Sequence, residues 1–221
     1  IMENVTANPL NLIMIMALMG LLPFMVTLMT SYIKIIVVTF LIRNALGVQQ
    51  VPPSMVLSGL ALILSIFVMA PVAMQTYNLL EKEQIDTASI TPAQIIETAS
   101  NVSGPIKTFL KNNTSEEILK SFTNTAQRIW PEDLKKSIDE DSFVIIIPSF
   151  VISELTKAFQ IGFLLYLPFI AIDLIISNIL LAMGMMMVSP MTISLPFKLM
   201  LFVTLNGWLK LSQGLLYSYT Y

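Results

Sequence analysis

The stretch FVIIIPSFVISELTKAFQIGFLLYLPFIAIDLIISNILLAMGMMMV, residues 143–188, is apolar over an unusual length. A helix of about 20 residues crosses ~30 Å of hydrocarbon. This run is more than twice as long, and Pro148 and Pro168, which break helical hydrogen bonding, divide it into shorter pieces. In hydrocarbon the backbone must satisfy its own polar groups, so the pieces are expected to be helices.

The run ends on three consecutive methionines, Met185, Met186 and Met187, between Gly184 and the Ser189-Pro190 pair. Glycine and Ser-Pro both stop helices, which predicts a loop between two apolar helices with thioethers at its tip. Successive residues on a helix point in three directions, so one helix face cannot bury all three. Methionine is unbranched and polarizable, and it suits surfaces that re-pack. The tip reads either as a plain hydrophobic hairpin end or, repeated around a symmetry axis, as a deformable ring that gates by excluding water.

Outward from this stretch the same character continues. The chain has 221 residues, 55% hydrophobic and 12% charged, against about 25% charged in soluble domains. Further apolar runs occupy residues 9–29, 55–77 and 191–219, whereas 18 of the 26 charged residues fall between Glu81 and Asp141. An all-α integral membrane fold of helical hairpins follows, with about four apolar helical segments and one soluble helical insertion. Residues 1–77 form the N-terminal apolar helical region, 78–142 the soluble segment, and 143–221 the C-terminal apolar hairpin with its methionine loop. Residues 30–54 carry Lys34 and Arg43 and end in Pro52-Pro53; they read as a helical continuation or re-entrant segment followed by a turn. Within the insertion, helices are expected near 91–100 and 114–122, the second opened by a Thr114/Glu117 capping box. Two bases and no acid in the 30–54 connection, against Glu3 in the tail, place the connection inside and the tail and insertion outside. No basic n-region precedes the first apolar run, so a cleavable signal is not expected.

Several function classes are excluded. The net charge is −2 with no basic cluster, which leaves nucleic acid without an electrostatic footprint. Cysteine and histidine are absent, which removes thiolate and imidazole ligands; no metal or cofactor is expected. Ser153 and Lys157 stand at helical spacing, but with no histidine base and no phosphate-binding loop the chain is expected not to be an enzyme and to hold no catalytic residue.

Charges inside apolar runs are costly and face protein or water. Here they are Lys34, Arg43, Glu154, Lys157, Asp173, Lys198 and Lys210. In PSFVISELTKAFQIGF, Ser153, Glu154, Thr156, Lys157 and Gln160 share one side, opposite Phe150, Ile152, Leu155 and Phe159. Such a helix lies flat at the bilayer surface, or it lines a water-filled path or subunit contact through Phe150, Ser153, Lys157 and Gln160. Asp173 and Lys198 read as a structural ion pair or as part of a proton relay. A secondary transporter or ion channel subunit is the alternative function; it would need Asp173 to titrate and an internal repeat, and no convincing repeat is found.

The stretches TSYIKIIVVTFLIRNALGVQQVPPSMVLSGLAL (30–62) and IPSFVISELTKAFQIGFLLYLPFIAIDLIISNILLAMGMMMVSPMTISLPFKLMLFV (147–203), roughly 90 residues together, closely resemble the SctR family of type III secretion export apparatus proteins, whose flagellar counterpart is FliP. The missing signal peptide and Val-Ser-Pro after the methionines, where flagellar members have Val-Pro-Pro, favour the injectisome branch. The resemblance implies a non-enzymatic subunit of the export gate in the bacterial inner membrane, at the base of the needle complex with part on the periplasmic side. It implies a pentameric, helically staggered cone with SctS-like and SctT-like subunits, passing unfolded polypeptides. It also implies that the apolar segments pack largely against one another above the membrane plane. By the same resemblance Met185, Met186 and Met187 form a gasket around the pore, and Glu154 and Lys198 join neighbouring copies.

Overall fold

The computed structural model describes residues 9–84 and 91–221; the tail bearing Glu3, and the orientation argument resting on it, lie outside these. Among the described residues every regular element is a helix: α1 (Pro9–Leu28), α2 (Tyr32–Leu46), α3 (Ser54–Lys82), α4 (Pro92–Val102), α5 (Gly104–Asn112), α6 (Glu116–Ile129), α7 (Glu132–Lys135), α8 (Phe143–Ala182), α9 (Pro190–Thr204) and α10 (Gly207–Tyr217). Helices α1, α3 and α8 are each long and apolar enough to cross a membrane. The pair α9 and α10, bent by 59°, is a fourth if taken as one broken span. None of the residues of α1 is buried, although the helix is apolar all round. Such a surface belongs in lipid or against another chain.

Three local expectations are corrected. Pro148 and Pro168 do not divide the long apolar run, because α8 continues through both for 40 residues. Each proline removes one backbone hydrogen bond, but breaking the helix in apolar surroundings would strand several. Near the first break Ser149 Oγ donates to the Ile145 carbonyl at 2.6 Å. At 1.5 Å per residue α8 is about 60 Å long, twice the hydrocarbon thickness. The second correction concerns the Thr114/Glu117 capping box. Helix α6 is capped at Ser115, whose side chain makes no cap bond. Thr114 Oγ1 instead donates back to the Leu110 carbonyl of α5 at 2.6 Å. The reciprocal box forms at Thr91 and Gln94, opening α4. Third, the run expected over 55–77 stays helical to Lys82, so α3 takes the first residues of the charged segment.

By contacts the described chain forms two compact units. In one, made from residues 1–31, 67–153 and 220–221, Phe109 is 1% exposed and lies 6.3 Å from Phe150 and 6.2 Å from Tyr221, ring centre to ring centre. Asn113 fixes the same end of the chain: its Nδ2 donates to the Thr220 carbonyl, and its Oδ1 accepts from the Thr220 N–H. The N–H of Ser115 donates to Ser153 Oγ at 2.9 Å, which satisfies one of the free donors at the start of α6.

The other unit comprises residues 32–66 and 154–219. Its core gathers Ile42, Ala45 and Leu46 of α2, Phe169 of α8 and Phe202 of α9. Trp208 of α10 meets Phe202 edge-on at 5.2 Å. Asn206 turns the chain between α9 and α10 in the left-handed region, with φ 52°, a conformation asparagine tolerates better than most residues. Close approach matters at Gly207, where an added Cβ would stand 2.3 Å from the Phe202 ring.

Candidate functional site

The methionine tip is built by a specific helix ending. The N–H of Met185 donates to the Leu180 carbonyl and the N–H of Gly184 to the Leu181 carbonyl, while Gly184 takes φ 72°. These are the two bonds of a Schellman motif with glycine in the left-handed position. The chain therefore leaves α8 abruptly, and Pro190 starts α9. Between them Met185, Met186 and Met187 are 43%, 81% and 99% exposed. The tip is thus an apolar surface left uncovered by its own chain.

The first ion centre lies behind α2. Lys34 and Glu154 are 1% and 0% exposed, and their Nζ and Oε1 atoms are 3.5 Å apart. Tyr219 donates its hydroxyl to Glu154 Oε2 at 2.6 Å, and its ring lies under the Lys34 ammonium at 3.8 Å. One aromatic residue therefore serves both charges, as hydrogen-bond donor to the anion and π face to the cation. Burial pulls Lys34 below the ordinary lysine range against the attraction of Glu154, with Lys157 adding repulsion. Burial, followed by the neighbouring carboxylate, pushes the Tyr219 hydroxyl above its ordinary range, which keeps it a donor.

The second centre joins α8 to α9. Lys198 Nζ lies 2.7 Å from Asp173 Oδ2, and Ser194 Oγ donates to Asp173 Oδ1 at 2.6 Å. Ser194 and Lys198 are four residues apart on α9, so they share a face and hold the two carboxylate oxygens separately. The structural-pair reading of Asp173 and Lys198 describes this arrangement. The acid a transporter would titrate is held by a lysine and a serine.

Within the single chain Glu154 and Lys198 are held by different partners, Lys34 and Asp173. Burial on α8 does not follow the division into a polar and an apolar side: Ser153 and Glu154 are buried and Thr156 is exposed, whereas Ile152 and Phe159 are 42% and 61% exposed. Glu154, the charge buried here, is satisfied inside the chain, as expected where lipid or another subunit is the surrounding medium. Phe150 is also fully buried, against Phe109. Gln160 is exposed and Lys157 half-buried. Of the charges expected to be buried, Lys34 is; Asp173 keeps 34% exposure. Arg43 is half-buried, donates to the Pro52 carbonyl and to Ser54 Oγ, and covers the Phe40 ring, so it clamps the turn after α2. Tyr219 and Ser194 were not anticipated. Ser194 was findable from its spacing to Lys198; Tyr219, 65 residues from Glu154, left no local signal.

Residues 15–215 match the family model described as the FliP family. The chain belongs to the FliP family. It is 50% identical over 213 residues to the Yop proteins translocation protein R of Yersinia pestis, covering 96% of this chain and 97% of that protein. It is 50% identical over 207 residues to the virulence protein YscR of Salmonella typhimurium, covering 93% and 95%. To the harpin secretion protein HrcR of Erwinia amylovora it is 43% identical over 212 residues, covering 96% and 97%. These relatives place this FliP-family chain with the injectisome branch.

Proposed function

We propose that this chain is a subunit of the type III protein secretion export gate, non-enzymatic, and that copies of it form the inner-membrane pore for unfolded export substrates together with SctS-like and SctT-like subunits. The observation that carries the reading is the 50% and 43% identity, over nearly the full length, to proteins named for translocation and secretion, joined to a methionine tip that its own chain leaves bare. A polypeptide channel passes side chains of every size and holds back ions when idle. Thioethers yield and close where rigid side chains would not. Five copies around an axis would bring the Met185–Met187 tips together as a gasket. A helix about twice as long as the hydrocarbon is thick suits a cone that rises from the membrane toward the periplasm.

Contact between copies through Glu154 and Lys198 would require the two side chains, 0% and 3% exposed within one chain, to turn out from Lys34 and Asp173 and meet across the interface. Copies carrying Leu155→Cys mixed with copies carrying Leu199→Cys would then form covalent dimers under a short thiol cross-linker, against a background without native cysteines; absence of dimers refutes that contact.

The functional test replaces Met185, Met186 and Met187 with alanine. The loop ending is fixed by backbone bonds and Gly184, so assembly is expected to survive while the idle pore leaks ions. An assembled triple variant with wild-type membrane conductance would sink the gasket reading.

A further inference from the structure

Two weak points in backbone hydrogen bonding stand side by side in the unit built from residues 32–66 and 154–219. On one leg of the C-terminal hairpin, Pro168 sits inside α8 and has no N–H to donate to the Leu164 carbonyl one turn back. On the other leg the chain leaves α9 at Leu205, turns through Asn206 at φ 52° and restarts as α10 at Gly207, bent by 59°. Two rings join these points. Phe169, next to Pro168, lies 6.5 Å from Phe202, and Phe202 lies against Gly207, where a Cβ would stand 2.3 Å from the ring. In apolar surroundings both breaks are costly, because stranded backbone groups find no water. Strain such as that of a left-handed asparagine clusters at clamps and switch regions.

Beyond this level the hairpin, residues 169–204, is braced. Pro196 leaves a similar gap in α9, but Ser194 and Lys198 flank it, and both hold Asp173 of α8, at 2.6 and 2.7 Å. The Ser194 bond keeps that brace where Lys198 turns to a neighbouring copy. The hairpin therefore has a stiff body, a soft base and, at its far end, the exposed Met185–Met187 tip.

We propose that Pro168 and Asn206–Gly207 are the hinge of the export gate, on which the hairpin 169–204 swings as one body to carry the methionine tip away from the pore axis. The proposal rests on the gasket reading above. Hinges are a few residues that absorb the dihedral change while packed bodies stay rigid. From Phe169 to Ala182 the lever is about 21 Å long. An extended chain with its side chains is about 10 Å thick, so each tip must retreat about 5 Å. On this lever that is a swing of about 14°. The rings of Phe169 and Phe202 lie at the hinge and move little, so the core gathered there is kept.

The chain has no cysteine, so nitroxide labels can be placed at Leu181→Cys near the tip and Leu209→Cys on α10, both exposed. The full chain is reconstituted in bilayers, with labelled copies diluted in unlabelled ones, and the distance distribution is read by pulsed electron resonance. Pro168→Ala restores one N–H at an exposed position. It should narrow the distribution and, in cells that secrete through this chain, slow export by roughly three- to tenfold, the worth of one backbone hydrogen bond that bending must now break. Pro196→Ala restores the same kind of bond inside the braced body and should change neither. A distribution unchanged by Pro168→Ala, or narrowed as much by Pro196→Ala, overturns the hinge. Normal export by a Pro168→Ala variant whose distribution has narrowed overturns its role in the gate. Copies with Met185–Met187 replaced by alanine that stay tight, while the distances still respond to Pro168→Ala, place the failure in the gasket reading and overturn the gate role with it. Should Pro168→Ala not fold, Asn206→Gly decides: freeing the other leg must widen the distribution, and an unchanged width overturns the hinge.

Discussion

The Lys34–Glu154 pair offers the sharpest energetic test. Its side chains are 1% and 0% exposed, so neither charge can recover hydration when its partner is removed. Breaking such a pair from one side costs about 3–5 kcal/mol. Glu154→Gln is milder, because the amide oxygen still accepts from Tyr219 and the ammonium keeps the ring 3.8 Å away. The cation–π contact is made in wild type as well and does not offset the loss, so the retained Tyr219 bond places Glu154→Gln at the lower end, about 3 kcal/mol. Lys34→Met strands the carboxylate with a single donor and is expected at the upper end, about 3–5 kcal/mol. The double variant removes both charges and should cost clearly less than the sum of the singles, with a coupling of at least about 1 kcal/mol. The assay is denaturant unfolding in detergent micelles followed by ellipticity, with wild type, both singles and the double compared at one detergent concentration. Single variants each within about 0.5 kcal/mol of wild type, or a double equal to the sum of the singles, would refute the pair as a stabilising unit.

The remaining expectations concern local packing, capping and pH. Gly207→Ala drives a Cβ into the Phe202 ring, which Trp208 holds edge-on; unfolding should show a loss of about 1–3 kcal/mol, partly restored by adding Phe202→Leu. Thr91→Ala removes a reciprocal cap and should cost about 1 kcal/mol of local stability at α4, seen as faster amide exchange there, whereas Ser115→Ala, whose side chain caps nothing, should leave α6 exchange unchanged. Asp141 is held below the ordinary carboxylate range by its hydrogen bond from Lys111. A depressed folded-state pKa means that its contribution is present above the unfolded value, about 4, and lost as pH falls through the folded one. Acidification should therefore loosen the contact between Lys111 and Asp141, less at high salt because both side chains are exposed, and Asp141→Asn should remove that pH dependence.

Hydropathy, breakers and composition are local properties, and they determined the helical class, the extents of α1 and most of α3, the charged insertion, and the loop bearing Met185–Met187. Gly184 and Pro190 mark that loop because a left-handed residue and a missing N–H act on the backbone wherever they occur. The prolines in α8 show where local rules stop. Pro148 and Pro168 break helices in water, but here the cost of stranding backbone groups in apolar surroundings outweighs one lost hydrogen bond each, and only the packed structure decided that balance. Partner choice was likewise tertiary. The sequence supplies a buried-looking acid and base at 154 and 198, yet within the chain Glu154 takes Lys34 and Tyr219, and Lys198 takes Asp173 beside Ser194. A desolvated charge is satisfied by whatever the fold brings within a few ångströms, and residues 34, 154 and 219 meet only after chain segments distant in sequence have packed together.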